Sequence, residues 1–353
     1  MKILKLPKKR MDSFVSVLNK FGGIEAPVKK GERHFAFDKV TSWPEVSLDY
    51  NRTILPLKKY FTKPIDTLFK FSNTKGFEAN VEDADRKLVL FGVHSCDIYA
   101  LKILDLVYAG KYVDNYYFTR RKHIGVIGID CVPDEHCFCH SMRADSVPDG
   151  FDLFLSDIGD SYLVSVGTSL GDDIMLAAGP SNIQEVTGDD IDEYKRRSNE
   201  RAKAFQLEVE LRDFAEIMEM EYGSDTWKEL GDRCLSCGSC SMVCPTCYCY
   251  DVFDEINLDQ VSGQRKRIWD SCLRREHALV AGGENFREHR SDRVKFRYYH
   301  KQRGFVAEYG RPSCVGCGRC IVACPAKIDI VEVINTIRGE AHGNNAIGHG
   351  AVR

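Results

Sequence analysis

One four-cysteine run occurs twice in this chain, and no other feature restricts its fold as tightly. Cys234, Cys237, Cys240 and Cys244 follow the spacing C-x2-C-x2-C-x3-C, with Pro245 next. Cys314, Cys317, Cys320 and Cys324 repeat it, with Pro325 next. Three thiolates at two-residue gaps wrap one face of a cubane, and the fourth, past a short turn, points away from it. This is the ferredoxin run for [4Fe–4S] clusters, in which the fourth cysteine ligates the other cluster. The pattern predicts one cluster on Cys234, Cys237, Cys240 and Cys324, and a second on Cys314, Cys317, Cys320 and Cys244. Structural zinc favours two separated C-x2-C knuckles over such a compact run ending in proline.

With 353 residues the chain is long enough for two domains. Its 15 cysteines are an odd number in a long chain, which argues against the disulfide framework of a small secreted domain. Met1 to Arg10 is basic and then polar, without the apolar stretch of a signal peptide. No apolar run approaches the roughly 18 residues of a membrane span. A reducing cytoplasm with metal-bound thiolates is the expectation. A net charge of −3 argues against a dedicated nucleic-acid binder. Charge is unevenly placed: Ala144 to Tyr194 holds twelve acids and no Lys or Arg, whereas Arg265 to Arg303 holds twelve bases against five acids. Such runs read as solvated faces. The sharper reading is docking of partner subunits, or a positive field that eases reduction of anionic clusters.

The predicted fold is α+β overall. Leu88 to Val93 reads as a buried strand, Asp97 to Ala109 as a helix capped by Ser95 or Asp97, and His123 to Ile129 as a second buried strand. That order is a βαβ unit with parallel strands, and Tyr162 to Val166 is a further strand. Residues 1–195 are therefore expected to form an α/β domain. From Glu193 to Tyr222 helix formers dominate, with Leu207, Leu211, Phe214 and Met218 at helical spacing, so one amphipathic helix is expected to lead into a mostly helical two-cluster ferredoxin domain over 196–338. Residues 339–353 lack periodicity and are expected to form a mobile tail.

Cys96 follows the first strand and Cys131 the second, with Cys137 and Cys139 in the same loop as Cys131. In a βαβ unit these lie at the carboxyl ends of parallel strands, where open sheets place ligands. We read Cys96, Cys131, Cys137 and Cys139 as ligands of a third [4Fe–4S] cluster. Zinc, or plain buried thiols, are the alternatives. His94, His136 and His140 lie nearby and could replace a thiolate. Cys247, Cys249 and Cys272 remain, as buried thiols or as a reactive group that carries sulfur. No G-x-G-x-x-G or G-x-x-x-x-G-K-[ST] occurs, so the chain itself is expected to bind neither nicotinamide nor flavin.

The strings DYNRTILPLKKYFTKP (49–64), GVHSCDIYALKILD (92–105), PDEHCFC (133–139), CPTCYCYD (244–251), WDSC (269–272) and AGGENF (281–286), with the second cysteine run, carry a family resemblance. The chain resembles the β subunit of soluble archaeal sulfhydrogenases, the NAD(P)-linked [NiFe] hydrogenases. That family also includes the A subunit of anaerobic sulfite reductases and the iron–sulfur subunit of flavin oxidoreductases that feed heterodisulfide reductase. The resemblance spans almost the whole chain. It implies a non-catalytic electron-transfer subunit in a hetero-oligomer, beside a flavoprotein with FAD and NAD(P). Beyond lies a catalytic module, in a hydrogenase a [NiFe] large subunit with its cluster-bearing small subunit. Two other readings stay open: reduction of sulfur or polysulfide at Cys247, Cys249 or Cys272, and a zinc-filled scaffold.

Overall fold

The computed structural model describes residues 2–79 and 86–339, so the expected tail beyond Gly339 lies outside the described residues. Among the described residues, the strands are β1 (Lys2–Pro7), β2 (Gly23–Lys29), β3 (Phe35–Val40), β4 (Ile65–Ser72), β5 (Gly76–Ala79), β6 (Leu88–His94), β7 (Ile124–Ile129), β8 (Leu153–Asp157), β9 (Ser161–Val166), β10 (Tyr250–Ile256) and β11 (Ser262–Trp269). Seven of them form one sheet in the order β1-β9-β8-β7-β6-β2-β3. Strands β2, β6, β7 and β8 run parallel at its centre, and the outer pairings are antiparallel.

Every residue of β6 and β7 is buried, because helices cover both faces of the sheet. Helices Met11–Leu18 and Ser169–Ala178 pack on one face. Helices Ser95–Tyr108 and Asn115–His123 pack on the other. The expected βαβ unit is present, with two helices in its crossover. The second was not expected from the sequence, since it buries only Tyr117 and Arg120 and so carries no apolar stripe. Its start is fixed instead by Asp114, which accepts from Tyr117 N at 2.9 Å. Neither Ser95 nor Asp97 caps the first helix; His94 holds the N-cap position without a side-chain bond. Asp97 has a different partner, described below.

The single long helix expected over Glu193–Tyr222 is two helices, Gly188–Lys203 and Phe214–Met220. The chain between them ends on Asp213, whose φ of +54° is left-handed. Leu207, Leu211, Phe214 and Met218 nevertheless pack into one hydrophobic cluster. Their spacing recorded a shared side of burial rather than a continuous helix.

Between the cysteine runs the chain forms the hairpin β10–β11, which joins β4 and β5 in a second sheet ordered β10-β11-β4-β5. All of β10 is exposed, and cross-strand pairs such as Arg265–Asp254 at 2.7 Å line it, so no apolar alternation announces it. Helix Ser95–Tyr108 is buried on two sides. Ile98, Leu101 and Leu104 face the large sheet, whereas Cys96, Ala100 and Ile103 join the cluster around the C-terminal helices. Among the described residues no helix is long and apolar enough to cross a membrane.

Candidate metal centres

The two cysteine runs fold alike. In the first, Ser236 and Gly238 take left-handed φ values of +52° and +78° before a short helix, Ser239–Met242. In the second, Gly316 and Gly318 take +66° and +71° before helix Arg319–Val322. These reversals turn the loop back on itself, so that closely spaced cysteines face one space. The two short helices pack against each other. Cys234 is delivered separately, as the C-cap of helix Thr226–Arg233.

That packing exchanges the fourth cysteines. One cavity is lined by Cys234, Cys237, Cys240, Cys320 and Cys324. A second is lined by Cys244, Cys314, Cys317 and Cys320. Among the described residues, no three His, Cys, Asp or Glu side chains close around a point as they would around one metal ion. The sulfurs ring cavities instead. Burial raises the pKa of Cys240 and Cys314 and pushes Cys320 up to about 12.

Two buried cations answer those thiols. Arg297, 5% exposed, lines both cavities. Its Nε and Nη2 are buried and have no hydrogen-bond partner. Burial works against its charge, yet the thiols of Cys240 and Cys320 hold its pKa well above the ordinary arginine value. Lys301 donates to Thr246 Oγ1 (2.7 Å), Ser313 O (2.8 Å) and Ser313 Oγ (3.2 Å) beside the second cavity. Burial opposes its charge too, and Cys244, Cys247 and Cys314 outweigh it. Part of the basic run 265–303 is thus interior rather than solvated. An unpaired buried guanidinium is costly. A thiolate-ligated iron–sulfur cluster is anionic, and its inorganic sulfides accept N–H bonds, so the donor set and the orphaned N–H groups both fit one.

Cys96 stands in the first turn after β6, Cys131 follows β7, and Cys137 and Cys139 lie in the next loop. All four gather at the carboxyl edge of the parallel strands. Cys96 and burial raise the Cys139 thiol, and Cys131 senses the charges of Cys96 and Cys137. Burial pushes Cys137 up to about 12. Arg52 donates to Cys137 Sγ at 3.5 Å and to Cys317 O at 3.4 Å, which ties this group to the second run. Phe138 N donates to Gly316 O at 2.8 Å, and Phe138 also lines the second cavity. The third cysteine group therefore abuts the second cavity, which in turn shares Cys320 and Arg297 with the first.

The nearby histidines have other roles. His94 is buried, stacks on Tyr50 at 3.9 Å, and is driven down to about 3 by burial, so it is neutral. Its Nε2 has no partner. His140 Nδ1 lies 2.9 Å from Asp145 Oδ2, and His136 Nε2 lies 3.6 Å from Glu135. Of the leftover cysteines, Cys247 acts on the Cys244 thiol, and Cys272 and His277 act on that of Cys249. The sequence reading missed Arg52, Arg297, Lys301 and His277; the excess of Lys and Arg over 265–303 was the one signal for two of them, Arg297 and Lys301.

Residues 233–328 match the family described as a 4Fe-4S dicluster domain. Over 338 residues the chain is 42% identical to the protein named sulfhydrogenase 2 subunit beta of Pyrococcus furiosus, an alignment covering 96% of this chain and 99% of that one. Identity at that level across nearly the whole of both chains, with the doubled cysteine run inside the matched segment, means that this is an iron–sulfur protein belonging to the sulfhydrogenase β-subunit family.

Proposed function

We propose that this iron–sulfur electron-transfer subunit relays single electrons between a partner subunit binding FAD and NAD(P) and a catalytic module, a [NiFe] large subunit with its cluster-bearing small subunit. The observation that carries this reading is Arg297, a buried guanidinium with unpartnered N–H groups between two cysteine-lined cavities. We assign Cys234, Cys237, Cys240 and Cys324 to one [4Fe–4S] cluster, and Cys314, Cys317, Cys320 and Cys244 to a second. Cys96, Cys131, Cys137 and Cys139 hold a third. When bound, such clusters exchange one electron each at potentials set by hydrogen bonds, charge and solvent exposure. The chain's own part is to exclude water from the cavities, to supply Arg297 and Lys301 against the negative charge, and to hold the three groups in contact. Arg52 and Phe138 do the last of these, between the third group and the second run. The complex works in the cytoplasm.

The test is iron and acid-labile sulfide per chain in anaerobically purified protein. About twelve of each is expected, for three cubanes. About eight of each, unchanged in Cys96→Ser, would remove the third site. Stoichiometric zinc with no labile sulfide would end the electron-transfer reading altogether.

A further inference from the structure

The hairpin β10–β11 closes on itself at its base, where Asp270 N donates to Cys249 O at 3.0 Å. The chain then turns tightly, with Arg274 N donating to Ser271 O at 2.9 Å, and enters a short helical turn, Glu276–Ala278. Cys272 and His277 are thereby brought beside Cys249, near enough that both act on its thiol. The imidazole is itself held: His277 Nδ1 lies 2.5 Å from Asp270 Oδ2. A carboxylate thus orients an imidazole, and the imidazole meets a thiol, as in the general arrangement of an activated nucleophile. Cys249 is partly exposed and Cys272 is buried. None of these four residues lines the two cluster cavities.

We propose that Cys249 is a nucleophilic thiolate and Cys272 its resolving thiol, forming a thiol–disulfide exchange site for a small disulfide, with His277 as the base and Asp270 positioning it. The electrostatics agree. Hydrogen bonds from Cys272 and His277 hold Cys249 well below the ordinary thiol range against the effect of burial, and the same contact raises His277. The two therefore form a thiolate–imidazolium pair. Other charges face it. Lys58, from helix Lys58–Phe61, favours the Cys249 thiolate, and burial keeps His300 neutral. At Cys272, Cys249 and Cys247 disfavour a second thiolate and Arg297 works the other way.

The chemistry balances. The Cys249 thiolate attacks one sulfur of R–S–S–R, the disulfide breaks, and the departing thiolate takes the proton of His277. Cys272 then gives its proton to His277 and attacks the Cys249 sulfur. The second RS⁻ leaves and takes that proton. The substrate gains two electrons, and the Cys249–Cys272 pair loses two. Two electrons and two protons reset the dithiol. Added dithiothreitol supplies them in an assay; in the complex they come from the chain's own one-electron centres, a point that rests on the reading above.

The probe is bis(2-hydroxyethyl) disulfide, added to the intact complex under anaerobic conditions. Two thiols released per chain and a Cys249–Cys272 linkage in the peptide map are expected. Cys272→Ser should release one thiol and trap a mixed disulfide on Cys249. Cys249→Ser should release none at this site and leave iron content and cluster EPR signals unchanged. Asp270→Asn should slow iodoacetamide capture of Cys249 at pH 6 by about tenfold, with the wild-type rate regained at alkaline pH. A Cys249–Cys272 linkage that never forms, or a pH profile that Asp270→Asn does not move, overturns the proposal. So does the loss of about four irons per chain in Cys249→Ser, which would make Cys249 a cluster ligand. Absence of cluster signals from the parent protein would sink the electron-transfer reading and leave this test standing.

Discussion

Arg319 and Asp97 form a buried two-toothed ion pair, Nη2 to Oδ2 at 2.7 Å and Nη1 to Oδ1 at 2.8 Å, with side chains 2% and 0% exposed. Arg319 lies within the second cysteine run, between Cys317 and Cys320. Asp97 directly follows Cys96. The pair therefore pins the second cavity to the third cysteine group from the interior. It also explains why Asp97 does not cap its own helix.

Breaking that pair from one side should be costly. Asp97→Asn leaves the Arg319 guanidinium buried without its charge partner, a change worth about 3–5 kcal/mol in comparable sites. The urea midpoint of the variant is expected to fall sharply. The double variant Asp97→Leu with Arg319→Met should recover much of the loss, because no unpaired charge then remains. An Asp97→Asn midpoint equal to that of the parent would mean that water reaches the pair.

Arg297 should set the potentials of both C-terminal clusters together. Arg297→Met removes a buried positive charge that faces both cavities, so both midpoint potentials are expected to fall by about 60 mV or more, a tenfold change in a one-electron equilibrium. Arg297→Lys keeps the charge and should shift them less. EPR-monitored redox titration reads this directly; movement of one signal alone would place the guanidinium at a single cluster.

The exchange of fourth cysteines has its own signature. Cys324 lines the cavity of the first run, so Cys324→Ala should damage the cluster proposed for Cys234, Cys237 and Cys240. EPR of the reduced variant that shows only the second-run cluster lost would contradict the assignment.

Gly316 packs directly against the loop that carries Cys137 and Cys139. A Cβ there would lie 2.5 Å from Cys139 N and from the Phe138 carbonyl, in a backbone with φ of +66°. At Gly310, with φ of +71°, a Cβ would meet nothing within 4 Å. Gly310→Ala is thus expected to cost about 1 kcal/mol, for the left-handed backbone alone. Gly316→Ala should cost clearly more and should loosen the loop 136–139, lowering iron content at the proposed third site. Comparable thermal midpoints for the two variants would show that the loop gives way freely.

Much of the fold was legible because some signals are local. The apolar runs at 88–93 and 124–129 belong to strands buried on both faces, and no other exposed arrangement would tolerate them. Helix Asn115–His123 escaped because its stability comes from an Asp114 cap and two buried side chains, not from a stripe. Strand β10 escaped because its partners are the charged residues of β11 and, through β11, a strand almost 200 positions earlier. The helix misread over 193–222 shows the opposite error: spacing shared by a helix and by an extended linker against the same core.

For the site, the sequence by itself determined which atoms are available: eight cysteines at ferredoxin spacing and four more at the ends of two parallel strands. Ligand type and local reach follow from composition and short-range geometry, and these need no partner segment. Only the tertiary structure decided what surrounds them. Cys324 meets the first run because two short helices pack together, and Arg297 and Lys301 reach the cavities from a helix elsewhere in the chain. Asp270 and His277 reach Cys249 because a hairpin closes at its base. Each of these is a contact between distant positions, made where burial leaves a charge no water to turn to, and spacing along the chain does not record it.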